Sequence, residues 1–284
     1  MAALGERILN FLAATHSRYP DTGRDEAYTR SYRTIRLAVG CLGVLLPLIF
    51  IFGEAYFLRG GVHVRGSLSG YYHTSMQDFF VAGLCIIGFL LATYMAGEFA
   101  TVDFWASLIA GLAVLGVVFF PTSRSGLPAG APACGSVPVP PPSCSAIEQT
   151  LGEHPTAVVH AVCAIVFIFF LAVMSFLFAA SEVLPQKDRL TAQGQPRPSV
   201  FRKPILFWIH STCTLLILAA GVWAFAGAGI WQLTPLYIGE VASVWAFALS
   251  WILAGLGVTA PARIRPARAP TQGPSPTTGA ALPG

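Results

Sequence analysis

Ala157-Val158-Val159-His160-Ala161-Val162-Cys163-Ala164-Ile165-Val166-Phe167-Ile168-Phe169-Phe170-Leu171-Ala172-Val173-Met174-Ser175-Phe176-Leu177-Phe178-Ala179-Ala180 contains no Asp, Glu, Lys or Arg. About 20 apolar residues in a helix cross the hydrocarbon layer of a bilayer. Lipid offers no partner to a backbone amide, so a run of this length crosses as a helix. Five further blocks of the same kind lie at 37–58, 79–96, 104–121, 205–228 and 236–259. In a chain that is 55% hydrophobic and 11% charged, these six blocks predict an all-α polytopic membrane protein with six transmembrane helices, forming one membrane domain over 36–259.

Lys and Arg set the expected orientation, because cytoplasmic loops retain them. The N-terminal arm, 1–35 and its junction, carries Arg7, Arg18, Arg24, Arg30, Arg33 and Arg36. The connection after the fourth block carries Lys187, Arg189, Arg197, Arg202 and Lys203, and the tail carries Arg263, Arg265 and Arg268. Arg59, Arg65 and Arg124 alone fall in the other register. Both termini are therefore expected in the cytoplasm, with 59–78, 122–156 and 229–235 outside. The apolar patch of Ile8, Leu9, Phe11 and Leu12 is short and followed by charges, so it reads as a surface helix rather than a cleaved leader. The tail 260–284, mostly Pro, Ala, Thr and Gly, is expected to be disordered. The net charge of +4 follows from these loops, so the expected partner is the lipid bilayer and not nucleic acid.

Cys41, Cys85, Cys163 and Cys213 fall inside apolar blocks, where cysteine behaves as a small apolar residue. Cys134 and Cys144 share the outer loop, either as a disulfide or as two free thiols. That loop contains Pro138, Pro140, Pro141 and Pro142 and is expected to be irregular. Small residues at Ser107, Gly111 and Gly116, and at Ala220, Ala224 and Ala228, suit close helix packing in lipid. Pro47 interrupts the first helix and Pro204 opens the fifth. Trp245, Phe247 and Trp251 are expected to pack inside.

Ionisable side chains in or beside a membrane helix are costly and usually face a cavity or one another. Toward the outside lie Glu54, His73, Asp78, His154, His160 and Glu240; toward the cytoplasm lie Tyr94, Glu98, Asp103 and His210. The block Ser67-Leu68-Ser69-Gly70-Tyr71-Tyr72-His73-Thr74-Ser75-Met76-Gln77-Asp78 concentrates hydroxyls, phenols, an imidazole and a carboxylate before the second helix. Ser69 and His73 share a face if that helix begins early. The candidate ligand site is thus Ser69, Tyr72, His73, Asp78, His160 and Glu240. A metal reading uses His73, His160 and Asp78 around zinc or another divalent ion, which needs ligands converging at about 2 Å. A haem would have to join His73 to His160, with only His210 on the other side. A proton-linked transporter would use Glu54, His160 and Glu240. At the inner side, Glu98 and Asp103 are placed to cap the third helix, with His210 nearby.

The runs Arg36-Leu37-Ala38-Val39-Gly40-Cys41-Leu42-Gly43-Val44-Leu45-Leu46-Pro47, Ser67 to Thr74 with Asp78-Phe79-Phe80-Val81, and Phe120-Pro121-Thr122, together with His160 and Glu240, resemble a family of bacterial six-span integral membrane proteins to which no activity is assigned. The resemblance covers most of 36–256 and implies a multi-pass protein of the cytoplasmic membrane. In that family the residue before the aspartate is usually arginine; here it is Gln77. The spacing Ser69-x-x-x-His73 is also similar to that of a superfamily of membrane hydrolases, including alkaline ceramidases and progestin/adiponectin-type receptors, with a zinc site of serine, aspartate and three histidines. Those proteins have seven spans and a histidine pair four apart on the last, which this chain lacks. Four readings stand: a ligand pocket, a metal-dependent hydrolase of a lipid or envelope substrate, a proton-linked transporter, and a structural scaffold.

Overall fold

A computed structural model of the chain describes residues 25–257 apart from 60–61, 63, 97–98, 125–126, 129, 140, 142, 184–203 and 232. The expected surface helix near Ile8, the tail 260–284 and Glu98 lie outside the described residues. The described chain is helical: α1 (Asp25–Leu58), a 3-10 helix (Ser69–His73), α2 (Gln77–Thr93), α3 (Val102–Phe119), α4 (Ala146–Leu151), α5 (Glu153–Val183), α6 (Pro204–Ala226) and α7 (Pro235–Gly257). Five helices, α1, α3, α5, α6 and α7, are long and apolar enough to cross a membrane.

The apolar blocks locate these helices, and the ends differ for physical reasons. α1 begins at Asp25 rather than at 37, because a helix continues through polar sequence when no breaker stops it, and Arg30, Arg33 and Arg36 carry it on. α5 likewise starts at Glu153. Pro204 and Pro235 open α6 and α7, where the missing amide hydrogen has no intrahelical acceptor to lose. At 17 residues, α2 rises about 26 Å, the low end of what spans a bilayer. The loop 122–156 is less irregular than its prolines suggest, since it contains α4. Ser145 caps α4 by accepting from the Glu148 amide, and the Glu148 carboxylate returns a bond to the Ser145 amide.

Six helices form a closed ring, α1–α2–α3–α5–α6–α7 and back to α1, with α5 also touching α7 across the middle. Large apolar side chains such as Phe52, Phe89, Leu112, Leu215 and Phe225 point out of the ring, while Ser107, Ser175, Ser243, Ser250, His160 and His210 are buried within it. Apolar outside and polar inside is the arrangement a lipid solvent selects, so the chain is a multi-pass membrane protein. Trp251 and Phe247 pack inside as expected, whereas Trp245 is 42% exposed on the outer surface.

Two seams depend on the absence of a side chain. A Cβ on Gly111 of α3 would lie 2.6 Å from the Gly88 carbonyl oxygen of α2, and one on Gly239 of α7 would lie 2.5 Å from the Ala220 carbonyl oxygen of α6. Both clashes are with backbone, so the helices themselves would have to separate. Gly111→Ala is expected to cost about 1–3 kcal/mol and to lower the melting temperature in detergent. Gly221→Ala, whose Cβ would meet Ile168 at 3.9 Å, should leave it unchanged.

Candidate functional site

Between α1 and α2 the chain leaves helical geometry and folds into the end of the ring, as a plug over residues 67–76. Leu68, Ser69, Tyr71, Tyr72 and Met76 are buried there. The plug sits below the helix ends: it bonds His160, seven residues or about 10 Å into α5, and Glu240, five residues or about 7 Å into α7. Its composition makes this tenable. Ser67 Oγ accepts from the Gly70 amide at 2.9 Å, Thr74 Oγ donates to the Tyr71 carbonyl at 2.8 Å, and the Met76 amide donates to Thr74 Oγ at 3.1 Å. Short hydroxyl side chains thus replace the hydrogen bonds that a helix would have supplied.

Ser69 and His160 meet at the plug's inner surface, both buried. His160 Nδ1 lies 2.7 Å from the Phe120 carbonyl oxygen and 3.2 Å from that of Val117. These carbonyls belong to the last turn of α3 and its cap, where no helical amide remains to bond them, and Pro121 prevents another turn from forming. Nδ1 therefore carries the hydrogen, and Nε2 is left as the acceptor for the Ser69 hydroxyl at 2.9 Å. A hydroxyl, an imidazole and a group that fixes the imidazole stand in one line.

Glu240 approaches from α7, and its Oε2 accepts from the Leu68 amide at 2.6 Å. Beneath the plug a cavity runs along the helix axes, lined by α1, α2, α3, α5 and α7; Ser69 and Glu240 are the two hydrogen-bonding side chains among its otherwise apolar lining. Beside it, Arg65 forks onto Glu54, with Nε 2.9 and 3.0 Å from the two carboxylate oxygens and Nη2 also bound. That bond raises the Arg65 pKa against the effect of its burial. Burial pushes the Tyr71 phenol up; this ring packs on Phe50, 5.4 Å between centroids.

His73 has other partners than Ser69. Its Nε2 lies 2.5 Å from the Thr122 carbonyl oxygen and its Nδ1 3.1 Å from that of Ser143, while the fully buried Glu148 carboxylate is 3.9 Å from Nε2. Both ring nitrogens meet acceptors, so His73 fastens the plug to the disulfide loop. Cys134 and Cys144 are bridged there, with their Cα atoms 5.7 Å apart. Arg124 and the Cys134 amide converge on Glu153 at the head of α5, the closest contact being from the Arg124 amide at 2.8 Å.

Of the residues singled out in the sequence, Ser69 and His160 are joined, and Glu240 is bonded to the neighbouring amide. Tyr72 is buried edge-on to His73, with centroids 5.1 Å apart. Asp78 is exposed in the first turn of α2, where the helix dipole favours a carboxylate. Ser69 and His73 do not share an α-helical face, because the 3-10 winding ends before α2 begins. Among the described residues no three of His, Cys, Asp and Glu stand together as a metal ion requires, so His73, His160 and Asp78 are not gathered at one point. Sequence reasoning missed Glu148 and the Glu54–Arg65 pair. The spacing Ser145-x-x-Glu148, a capping-box pattern, was the available signal for the first. At the other end of the ring, His210 Nδ1 is 2.8 Å from Ser250 Oγ, and Thr101 caps α3 by accepting from the Phe104 amide.

His73→Ala should leave the Thr122 and Ser143 carbonyls and the buried Glu148 carboxylate with poorer partners, costing about 1–3 kcal/mol and speeding reduction of the Cys134–Cys144 bridge by dithiothreitol. Asp78→Asn should change neither reading by more than about 0.5 kcal/mol, as befits an exposed site. No protein-family model, no curated protein and no solved structure matches the chain.

Proposed function

We propose that the protein is a six-span membrane protein that holds a single-chain amphiphile from the bilayer in the cavity at the centre of its ring. The apolar chain lies among the helices, and the polar end reaches Ser69 and Glu240. The observation that carries this reading is the lining: an elongated apolar wall with a hydroxyl and a carboxylate at its plugged end. Binding sites of this kind pair a large apolar surface with a few placed polar groups. The lining extends from Val39 to Phe50 on α1, about 16 Å of helix.

The free space is about 80 Å³, less than the roughly 150 Å³ apolar cavity that accommodates benzene. A chain therefore enters by parting the helices. The sparsest neighbouring contact in the ring is between α1 and α2, and both line the cavity, so this seam is the route from the bilayer. In this reading α2 crosses with the five longer helices, both termini are cytoplasmic, and the plug and disulfide loop face outward, as the distribution of Lys and Arg favours.

Two measurements test it. After mild reduction of intact cells, a membrane-impermeant maleimide should label Cys134 and Cys144; labelling only after the membrane is broken would reverse the orientation. In liposomes, a diazirine-bearing fatty acid should crosslink to cavity residues of α1, α2 and α3. Val117→Trp, which fills the cavity, should lower that yield about tenfold. Crosslinks confined to outward residues such as Phe52 and Phe89 would end the binding reading.

A further inference from the structure

We propose that Ser69 and His160 are a nucleophile and base that transfer the acyl group of an ester lipid whose chain occupies the cavity. This deepens the binding reading above and rests on it. Three observations carry it. The Ser69 hydroxyl is 2.9 Å from His160 Nε2, and the Phe120 carbonyl holds the opposite nitrogen at 2.7 Å, so the lone pair needed to accept the serine proton points at the serine. Ser69 also lines the cavity, which places its oxygen where the polar end of a bound chain would stop. Lastly, Glu240 lines the same end, and apart from the Leu68 amide on Oε2 it has no hydrogen-bond partner among the described residues. Its other oxygen is placed to accept from a hydroxyl.

The step is as follows. Ser69 Oγ attacks the ester carbonyl carbon as its proton passes to His160 Nε2. The imidazolium so formed keeps its Nδ1 hydrogen on the Phe120 carbonyl. The bond between the acyl carbon and the alkoxy oxygen breaks, and Nε2 returns the proton to that oxygen, releasing an alcohol and leaving the acyl group on Ser69. In the second half, water or the hydroxyl of an acceptor lipid, held by Glu240, gives its proton to Nε2 as its oxygen attacks the acyl carbon; the bond from that carbon to Ser69 Oγ breaks, Nε2 returns the proton to Oγ, and the free acid or the new ester leaves. No electrons are exchanged with any other partner, and a positioned base of this kind contributes about 10²–10⁴-fold.

A purely structural bond between plug and α5 would have the same geometry but no reactivity, so the test reads reactivity. Full-length protein in liposomes is treated with a long-chain alkyl fluorophosphonate and digested, and the adduct is mapped by mass spectrometry. The expected result is a near-stoichiometric adduct on Ser69, absent in Ser69→Ala and formed about 100-fold more slowly in His160→Gln, with Ser67 unlabelled. Melting temperature and an intact Cys134–Cys144 bridge establish that each variant is folded. If His160→Gln does not fold, the wild-type protein decides: an adduct selective for Ser69 supports the pair, and none overturns it. Equal labelling rates in wild type and a folded His160→Gln would also overturn it. If the diazirine acid marks the cavity but the phosphonate leaves Ser69 unmodified, the transfer proposal fails while binding stands. If neither reagent reacts inside the ring, both fail.

Discussion

A backbone amide that leaves helical geometry inside a ring of membrane helices has no water to fall back on, and each such group left unbonded costs several kcal/mol. The plug between α1 and α2 exists only because the surrounding helices answer that demand. The Leu68 amide is met by Glu240 of α7, the Gly66 carbonyl by the hydroxyl of Thr234 just before α7, and the Ser69 hydroxyl by His160 of α5. Arg65 is held by Glu54 of α1, and His73 by the carbonyls of Thr122 and Ser143. Polar groups on α1, α5 and α7, just past the end of α3 and in the disulfide loop gather around this one segment. Where the partners are buried, as Ser69, His160 and Glu54 are, loss of one strands the other in an apolar setting.

This explains why the sequence was legible in one respect and closed in another. Hydrophobic length is a local property, and it located the five long apolar helices near 37–58, 104–121, 157–180, 205–228 and 236–259 without reference to any neighbour. Where a helix passes smoothly into polar sequence, as α1 does through Arg36, the local signal has no edge to report. The site is a different kind of object. Ser69 and His160 are 91 residues apart, and Leu68 and Glu240 are 172 apart; their meeting depends on the rotation and depth of three separate helices, which no residue spacing encodes. Hydroxyls, imidazole and carboxylate could be recognised as out of place in lipid, but not who would partner whom. His73 is the instructive case: its neighbour in sequence, Ser69, faces the cavity, while the ring of His73 turns to the disulfide loop.

The two ends of the ring use polar chemistry differently. At the end opposite the plug, Arg36 bonds the Tyr94 hydroxyl through Nε at 2.5 Å and lies over the Phe178 ring at 4.7 Å. It is joined there by Trp251, fully buried against Tyr94 and Phe178. That end is closed by aromatic packing around Arg36. The plugged end is closed by hydrogen bonds around a void. Aromatic packing fixes spacing, whereas a hydrogen-bonded closure can exchange partners without opening a seam to lipid.

The plug is also the covalent connection between α1 and α2, the pair that meets most loosely. Those two roles fall on the connection 59–76, pinned at Ser69 by α5 and at Leu68 by α7. Any sideways parting of α1 from α2 pulls on both pins. Were a bound chain to part α1 from α2 as proposed, the width of that gap and the alignment of hydroxyl with imidazole would be a single mechanical coordinate: the wider the gap, the less aligned the pair.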